Sequence, residues 1–369
     1  MIYLDYQATT PLAPEAREAM LPWLDKFGNP HSPHRPGREA GAAIESATAQ
    51  IAGALGDSDG KGRLILTSGA TEAANWALHG AVAGTRRKIV TIATEHACVL
   101  DTAEWLTHRN VELVVLPVLP NGLVDMDAAN RAIDERTALV AAMLVNNEIG
   151  VIQPIAELAH LAHQAGALFF CDAVQGFGRV DLPLDGCDLV AISAHKIHGP
   201  KGIGALWLRN GFDWPAMIHG GGQQQGLRSG TLSPMLATGF GAAAALADQR
   251  RAKDNLHINS LSDLADNLFE DWTLNGDRIR RYVGNRNLRR DGVDAARLIS
   301  ELRDIAFSAG SACASGSGRP SHVLRALGLS EGQARGSIRL GFGRYTTQEE
   351  LREAAALINQ AAARQLEWA

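Results

Sequence analysis

Residues 188–202 read DLVAISAHKIHGPKG and set Lys196 just after an apolar run. The run ends in Ser193 and His195, and a Gly/Pro turn follows, which predicts a buried strand that enters a loop. A lysine at the end of a buried strand is desolvated, which favours the neutral amine that can form a Schiff base. Of the six lysines in the chain, only Lys196 directly follows a strand-like segment. For this stretch alone, a surface lysine in a loop is an equally good interpretation.

Strand-like and helix-like segments alternate on both sides of this stretch. Strands are predicted at 63–67, 88–93, 111–118, 138–145, 167–171, 188–193 and 204–209, and helices at 39–55, from the 68–72 turn to about 83, at 97–107, 127–135 and 155–165. This pattern is typical of an α/β fold with a mostly parallel sheet flanked by helices. Ligands of such sheets bind beyond the carboxyl ends of the strands. We therefore expect Thr67, Asn146, Asp172 and Ser193 to converge, because each lies at or just past a strand end.

The C-terminal part of the chain is less regular. A long helical pattern runs from Ser233 to Trp272 and predicts a connection between two domains, with the boundary near 245–255. Beyond it we predict helices at 293–303, at 321–327 and from about 347, and strands at 306–308 and 336–342. The expected organisation is a large domain at 13–250 and a smaller α+β domain formed by 1–12 and 251–369.

Composition limits the possible functions. With 46% hydrophobic and 20% charged residues, the chain is an ordinary globular protein. A net charge of −5 without a dominant basic run gives no indication of nucleic-acid binding. No stretch approaches the roughly 20 apolar residues of a membrane span, and the N-terminal segment lacks the basic and apolar regions of a secretory signal. Four scattered cysteines argue against a disulfide scaffold or a zinc site, so we expect a cytoplasmic protein without a bound metal.

Two segments have the residues that pyridoxal phosphate needs. Residues 67–72, TSGATE, join a strand to a helix, whose free N–H groups and the Thr71 hydroxyl suit a phosphate. Asp172 follows a strand, where its carboxylate could keep the pyridine nitrogen protonated, and Gln175 could donate to the phenolic oxygen of the ring. An ordinary capped turn and a helix N-cap at Asp172 are the alternatives.

Three more residues are candidates for chemistry. His96 follows the strand at 88–93, where an imidazole could stack on a flat cofactor and move protons near neutral pH. Cys313 stands among small residues in SAGSACASGSG, a setting that predicts a loop accessible to partners, as a thiol nucleophile requires. Arg339, within a short strand, could clamp a substrate carboxylate. A structural histidine, an incidental loop cysteine and a structural ion pair are the respective alternatives, and Cys98, Cys171 and Cys187 are interpreted as packing residues.

With these pieces together, the chain resembles the NifS/IscS-type cysteine desulfurases, which are class V aminotransferase-like, fold-type I enzymes dependent on pyridoxal phosphate. The resemblance covers almost the whole chain. Its motifs are YLDYQATTP at 3–11, GNP at 28–30, TSGATE at 67–72, TEH at 94–96, VNNEIG at 145–150, DAVQ at 172–175, HK at 195–196, GPKGIG at 199–204, HGGG at 219–222, RSGT at 228–231, SAC at 311–313 and SIR at 337–339.

The resemblance implies a role for each candidate residue. Lys196 would be the Schiff-base lysine, and Asp172 would pair with the ring nitrogen. The other implied cofactor contacts are Gln175 at the phenolic oxygen, His96 stacked on the ring, and Ala70, Thr71, Ser193 and His195 at the phosphate. Thr231 would reach the phosphate from the neighbouring subunit, which implies a homodimer. Asn146, which is also a cofactor contact, and Arg339 would hold the carboxylate of L-cysteine, and Cys313 would accept its sulfur.

Departures from the family pattern leave the destination of the sulfur open. Gln7 replaces the usual serine or asparagine, residues 282–291 are unusually basic, and Arg319 stands where a glutamate is common. A persulfide acceptor or scaffold protein is expected, with iron–sulfur cluster assembly, tRNA thiolation, cofactor synthesis and DNA phosphorothioation as possible pathways. A selenocysteine lyase, another aminotransferase-like enzyme and a sulfur-delivery module without catalysis are the alternative functions.

Overall fold

The structure is a computed structural model that describes residues 1–310 and 321–367. Cys313, with the small residues around it, lies outside the described residues. The chain begins with strand β1 (Ile2–Tyr3) and helices α1 (Pro14–Met20) and α2 (Arg35–Leu55). Of the described helices, none is both long enough and apolar enough to cross a membrane.

The large sheet is built from the alternating segments in the middle of the chain. In chain order they are β2 (Gly62–Thr67), α3 (Ala70–Ala81), β3 (Lys88–Ile92), α4 (Ala97–Thr107), β4 (Glu112–Leu116), α5 (Met126–Ala132), β5 (Thr137–Met143), α6 (Ile155–Gln164), β6 (Leu168–Asp172), β7 (Leu189–Ser193) and β8 (Gly204–Arg209). The strands pair in the order β2-β8-β7-β6-β5-β3-β4, and β3 to β7 are parallel. Every residue of β3, β5 and β7 is buried, as a sheet covered on both faces requires. The predicted α/β fold is confirmed.

Strand β8 runs antiparallel to both of its neighbours, β2 and β7. The connection 194–203 is too short for the helical crossover that a parallel pair needs. Lys196 lies in this connection and therefore stays at the carboxyl end of β7. At the start of β8, a Cβ on Gly204 would lie 2.8 Å from the Cα of Gly69, so glycine is required for the 67–72 turn to pack there.

A smaller antiparallel sheet follows helix α7 (Pro234–Leu268). Its elements and neighbours are β9 (Thr273–Leu274), β10 (Asn285–Arg289), α8 (Ala295–Glu301), β11 (Ile305–Ala306), β12 (Ser308–Ala309), α9 (His322–Ala326), α10 (Glu331–Arg335), β13 (Ser337–Gly341) and α11 (Gln348–Glu367). The strand order is β12-β13-β10-β9. Strand β10 comes from the basic region 282–291. Its buried polar side chains have partners, including Asn275 at 2.8 Å from Asn287 and Asp266 at 2.9 Å from Arg286.

The N-terminal residues join the C-terminal part of the chain rather than the large sheet. Strand β1 pairs in parallel with β11, and Asp5 forms a bridge with Gly341 of β13. The predicted domain boundary near 245–255 falls inside α7, which is continuous from Pro234 to Leu268. The division into 13–250, and 1–12 with 251–369, stays a prediction that this pairing supports.

Candidate active site

A cavity of about 620 Å³ opens at the carboxyl ends of the parallel strands. It lies where loops after β3, β5, β6 and β7 meet the start of α3 and the N-terminal segment. The predicted site residues that line it are Ala70, Thr71, His96, Asp172, Gln175, Ser193, His195, Lys196 and Arg339. These residues are far apart in sequence, and the parallel topology brings them to one edge of the sheet.

The amine of Lys196 is held by main-chain oxygens of the N-terminal segment. Its Nζ donates to the carbonyl oxygen of Gln7 at 2.5 Å and to that of Ala8 at 2.8 Å. The side chain of Gln7 points away and donates to the carbonyl of Gly284 at 3.0 Å. Because the lysine contacts the main chain of residue 7, the departure at this position does not change the lysine's acceptors.

Asp172 ends strand β6 with a buried carboxylate at the cavity wall. It accepts the Val174 N–H at 3.0 Å. Burial raises the pKa of Asp172, and the positive charges of His96 and Lys196 oppose this shift. A carboxylate that holds a proton more tightly than usual suits a partner that presents an N–H, such as a protonated pyridine nitrogen.

His96 is the N-cap of α4, and its ring orientation follows from this role. Its Nδ1 accepts the Cys98 N–H at 3.1 Å. In its neutral form the ring therefore carries its proton on Nε2. Cys98 packs against the hydrophobic core, as predicted, and it also lines the cavity beside His96.

The start of α3 forms the anion-binding end of the cavity. Gly69 is the N-cap, no side chain of the described residues caps the helix, and Ala70 and Thr71 begin its first turn at the cavity wall. The unpaired N–H groups of a first turn and the helix dipole favour a phosphate. Burial, with the positive charges of Lys196, Lys201 and Arg179, lowers the pKa of His195 to about 4, so its ring is neutral at pH 7.

Gln175 contributes an amide whose orientation is determined by its neighbours. Its Nε2 donates to the carbonyl of Gln7 at 2.9 Å, and its Oε1 accepts from Arg179 Nη1 at 2.7 Å. Arg179 was not predicted as a site residue, because a single arginine in a turn has no distinguishing pattern.

Asn146 does not enter the cavity, which corrects its expected role. It is fully buried, its Nδ2 donates to the Thr94 carbonyl at 2.8 Å, and its Oδ1 accepts the N–H groups of Glu148 and Ile149. These bonds use the amide to hold the turn after β5. The next residue, Asn147, lines the cavity instead.

Arg339 of β13 reaches the cavity from the smaller sheet. It is fully buried, and its Nη2 lies 2.7 Å from Asp5 Oδ1, while its Nη1 donates to the carbonyl of Asn147 at 3.1 Å. Its Nε has no partner among the described residues. The structure thus combines the ion pair and the cavity-lining position that the sequence left as alternatives.

Thr231 is exposed and does not line this cavity. The motif that contains it is fixed near the anion-binding end, because Arg228 Nε donates to Glu72 Oε1 at 2.9 Å. Glu72 lies in the first turn of α3 and also accepts the Ser68 N–H at 2.7 Å. This ion pair supports a position of the 228–231 segment at the rim of the site.

Two buried carboxyl groups were not singled out from the sequence. Glu95 accepts the Met143 N–H through Oε1, and its Oε2 has no partner in the described chain. Burial and the nearby Asp172 raise the pKa of Glu95 from 4.5 to about 8, against the opposing effect of that hydrogen bond. Burial also raises the pKa of Glu148 to about 7, although Ser321 Oγ donates to it.

The raised pKa of Glu95 predicts a measurable pH dependence of stability. Since the folded state binds this proton more tightly, the contribution is full below pH 4.5 and is lost as pH rises through 8. In Glu95→Gln this dependence is absent. We expect the melting temperature of the variant, relative to wild type, to rise by about 5 °C between pH 6 and pH 9. Exposed Glu104→Gln on α4 is the matched control, and equal slopes for all three proteins would contradict the prediction.

The cavity fits pyridoxal phosphate by its donor set. A lysine amine, a buried carboxylate, a histidine ring and a helix N-terminus line the cavity. Each of these groups comes from a different part of the fold. The anion site accommodates a phosphate, Asp172 accommodates a ring N–H, and Gln175 offers an N–H donor to a ring oxygen. The residues present therefore match the charges and hydrogen bonds of this cofactor.

Comparison with known proteins gives matches over nearly the whole chain. Residues 2–353 match the family model Aminotransferase class-V. Cysteine desulfurase IscS of Rickettsia bellii is 45% identical over 370 residues, covering 97% of this chain and 90% of that protein. A solved NifS-like protein has a TM-score of 0.90 at 30% identity and covers 100% of both chains. The structure of SspA in complex with cysteine has a TM-score of 0.84 at 32% identity, covering 94% of this chain and 100% of SspA.

Proposed function

We propose, since the chain belongs to the class V aminotransferase family, that it is a pyridoxal phosphate-dependent cysteine desulfurase. In this proposal it converts L-cysteine to L-alanine and passes the sulfur to Cys313. The observation that carries it is the cavity in which Lys196, Asp172 and an anion-binding helix start meet the buried Arg339. The name of the IscS relative and the cysteine bound to SspA support the choice of substrate.

The residues that would hold the cofactor follow from the site. Lys196 would be its covalent anchor, and Asp172 would accept from the ring nitrogen. The phosphate would be held by Ala70, Thr71, Ser193 and His195, while Gln175 would donate to the phenolic oxygen and His96 would stack on the ring. When bound, pyridoxal phosphate supplies an electron sink that stabilises negative charge at the substrate α-carbon.

The same cavity orients the substrate and moves its protons. Arg339 binds the carboxylate of L-cysteine, with Asn147 taking the place that the sequence assigned to Asn146. Nζ of Lys196 removes the α-proton and later returns a proton as alanine forms. His96, with its proton on Nε2, is placed to exchange protons with thiols.

Sulfur transfer is assigned to Cys313. Its thiolate attacks the sulfur of L-cysteine, so that an S–S bond forms while the carbon–sulfur bond breaks. The electrons of the broken bond stay with the three-carbon fragment, which takes up a proton and leaves as alanine. The products are a persulfide on Cys313 and L-alanine, and the atoms balance without an added oxidant.

We infer further that the protein is a cytoplasmic homodimer that delivers sulfur to an acceptor or scaffold protein, with iron–sulfur cluster assembly as the pathway its IscS relatives suggest. Thr231 of one protomer would complete the phosphate site of the other. The exposure of Thr231 and the Arg228–Glu72 ion pair at the cavity rim support this arrangement.

The function is tested with purified protein loaded with pyridoxal phosphate. L-cysteine and a thiol reductant should give equal amounts of alanine and sulfide. Selenocysteine, and L-alanine with a 2-oxo acid, are assayed in parallel. A higher rate with selenocysteine would favour a lyase, transfer of the amino group would favour an aminotransferase, and failure to bind the cofactor would favour a delivery module; each of these results would overturn the proposal.

Replacing Arg339 should weaken substrate binding. Arg339→Gln is expected to raise KM for L-cysteine about 10- to 100-fold, because a charge-assisted contact with the carboxylate is lost. The kcat should change less, since the group acts on the carboxylate and not on the reacting atoms. Steady-state kinetics check this, with exposed Arg335→Gln as the matched control. An unchanged KM would assign Arg339 to the ion pair with Asp5 alone.

A further inference from the structure

Arg179 lies in the turn after Gln175, directly behind the cavity wall. Its Nη1 donates to Gln175 Oε1 at 2.7 Å, and its Nη2 donates to the carbonyl oxygen of Lys196 at 2.6 Å. Its guanidinium carbon lies 5.2 Å from the ring centroid of Tyr282, a cation–π contact. One side chain outside the cavity therefore touches two residues that line it.

The charge of this guanidinium is not neutralised locally. Among the described residues, no carboxylate lies within ion-pair distance of Arg179. Asp254, which lines the same small pocket behind Lys196, pairs instead with two other arginines. An arginine remains charged even where burial lowers its pKa, as it does here. A positive charge thus stands behind the residue that anchors the cofactor.

The guanidinium also decides which way the Gln175 amide faces. Arginine has only donors, so it must contact Oε1 and not Nε2. The Gln175 Nε2 is thereby turned to the other side, where one N–H donates to the Gln7 carbonyl. Gln175 consequently offers a donor to the cavity, which suits a ring oxygen and not a ring N–H.

We propose that Arg179 is a positioning residue of the cofactor site, which fixes the donor face of Gln175 and places an uncompensated positive charge behind Lys196. The inference rests on the proposed pyridoxal phosphate site and adds a residue to it. Among the described residues, the other charged or titratable side chains that line the cavity are Asp172, His96, Cys98, His195, Lys201 and Arg339, and those that line the small pocket behind Lys196 are Tyr6, His198, Asp254, Tyr282 and Arg344. All of these remain in the variants below, so a change in titration reports on Arg179.

The test is an absorbance titration of the Schiff base in the wild-type holoenzyme and three variants. Removal of a positive charge favours the protonated Schiff base, so Arg179→Met should raise the titration midpoint by about one pH unit. Arg179→Lys keeps the charge and should titrate within a few tenths of wild type. Because a lysine cannot bridge both acceptors, it should still weaken cofactor retention on dialysis. Arg209→Met, an arginine at the end of β8 that pairs with Asp188, is the control.

The outcomes separate the inference from the proposed function. Absence of a Schiff-base band in wild type would refute the cofactor site itself. With that band present, a midpoint that is the same in Arg179→Met and wild type would overturn the charge role, even if the variant melts earlier. If Arg179→Met does not fold, Arg179→Lys alone decides. A titration midpoint shifted from that of wild type, or cofactor retention on dialysis equal to that of wild type, would then overturn the proposal.

Discussion

Lys196→Ala is expected to lower the release of alanine from L-cysteine by at least about 10⁴-fold. In the proposed function, two roles of the same amine are lost, the covalent attachment of the cofactor and the transfer of the α-proton. The fold should persist, because Lys196 lies in the loop between β7 and β8, where its Nζ donates to the carbonyl oxygens of Gln7 and Ala8. The variant should therefore melt close to wild type while the Schiff-base absorbance disappears.

The control for this variant is Lys201→Ala. Lys201 lines the same cavity and is exposed, but it follows the Gly/Pro turn rather than the strand end. We expect Lys201→Ala to keep the absorbance band and most of the turnover. If Lys196→Ala kept both and Lys201→Ala lost both, the anchor would have been assigned to the wrong lysine.

Cys313→Ser should eliminate the enzyme persulfide and reduce sulfide release by at least about 10³-fold. A serine hydroxyl is far less nucleophilic than a thiolate and cannot form a persulfide. Cofactor absorbance should stay unchanged, since none of the assigned cofactor contacts involves residue 313. Mass spectrometry after L-cysteine addition checks the result, because the wild-type peptide gains the mass of one sulfur atom.

Cys98 provides the matched control for Cys313. It is the cysteine that lines the cavity within the described part of the chain. Burial raises the pKa of the Cys98 thiol, although His96 opposes the shift, so it is a poor source of thiolate at neutral pH. Cys98→Ser should retain persulfide formation. A persulfide that persists in Cys313→Ser and vanishes in Cys98→Ser would transfer the role to Cys98.

Strong local patterns made much of the fold predictable. The predicted helix at 97–107 coincides with α4, and the predicted strand at 88–93 differs from β3 by one residue. Convergence of Asp172 and Ser193 followed from topology, because parallel strands share one carboxyl edge. The local pattern alone did not predict strand β10, since its Asn and Arg side chains show no apolar alternation and become favourable only with their tertiary partners.

The failures within the site are equally specific. Two adjacent asparagines follow β5, and the sequence does not show which of them faces the cavity. The geometry of the turn decides this, because the Asn146 amide is hydrogen-bonded to the backbone while Asn147 lines the cavity. Nothing in the sequence around Glu95 predicts its raised pKa, because burial of a carboxyl group is a property of the folded state. The contacts of Arg179 form only where two loops meet in the fold, and no spacing in the sequence predicts them.

The main-chain acceptors of Lys196 have an evolutionary consequence. A substitution removes a side-chain hydrogen-bond acceptor, whereas the main-chain carbonyl oxygen remains after nearly every substitution at its position. The position of the Lys196 amine is therefore insensitive to sequence changes at positions 7 and 8. Gln7 can differ from the usual residue without moving the amine. The Gln7 side chain packs against Gly341, where an added Cβ would overlap Gln7 Oε1. We expect a library of substitutions at position 7 to retain the lysine's placement while tolerating only those side chains that fit against Gly341.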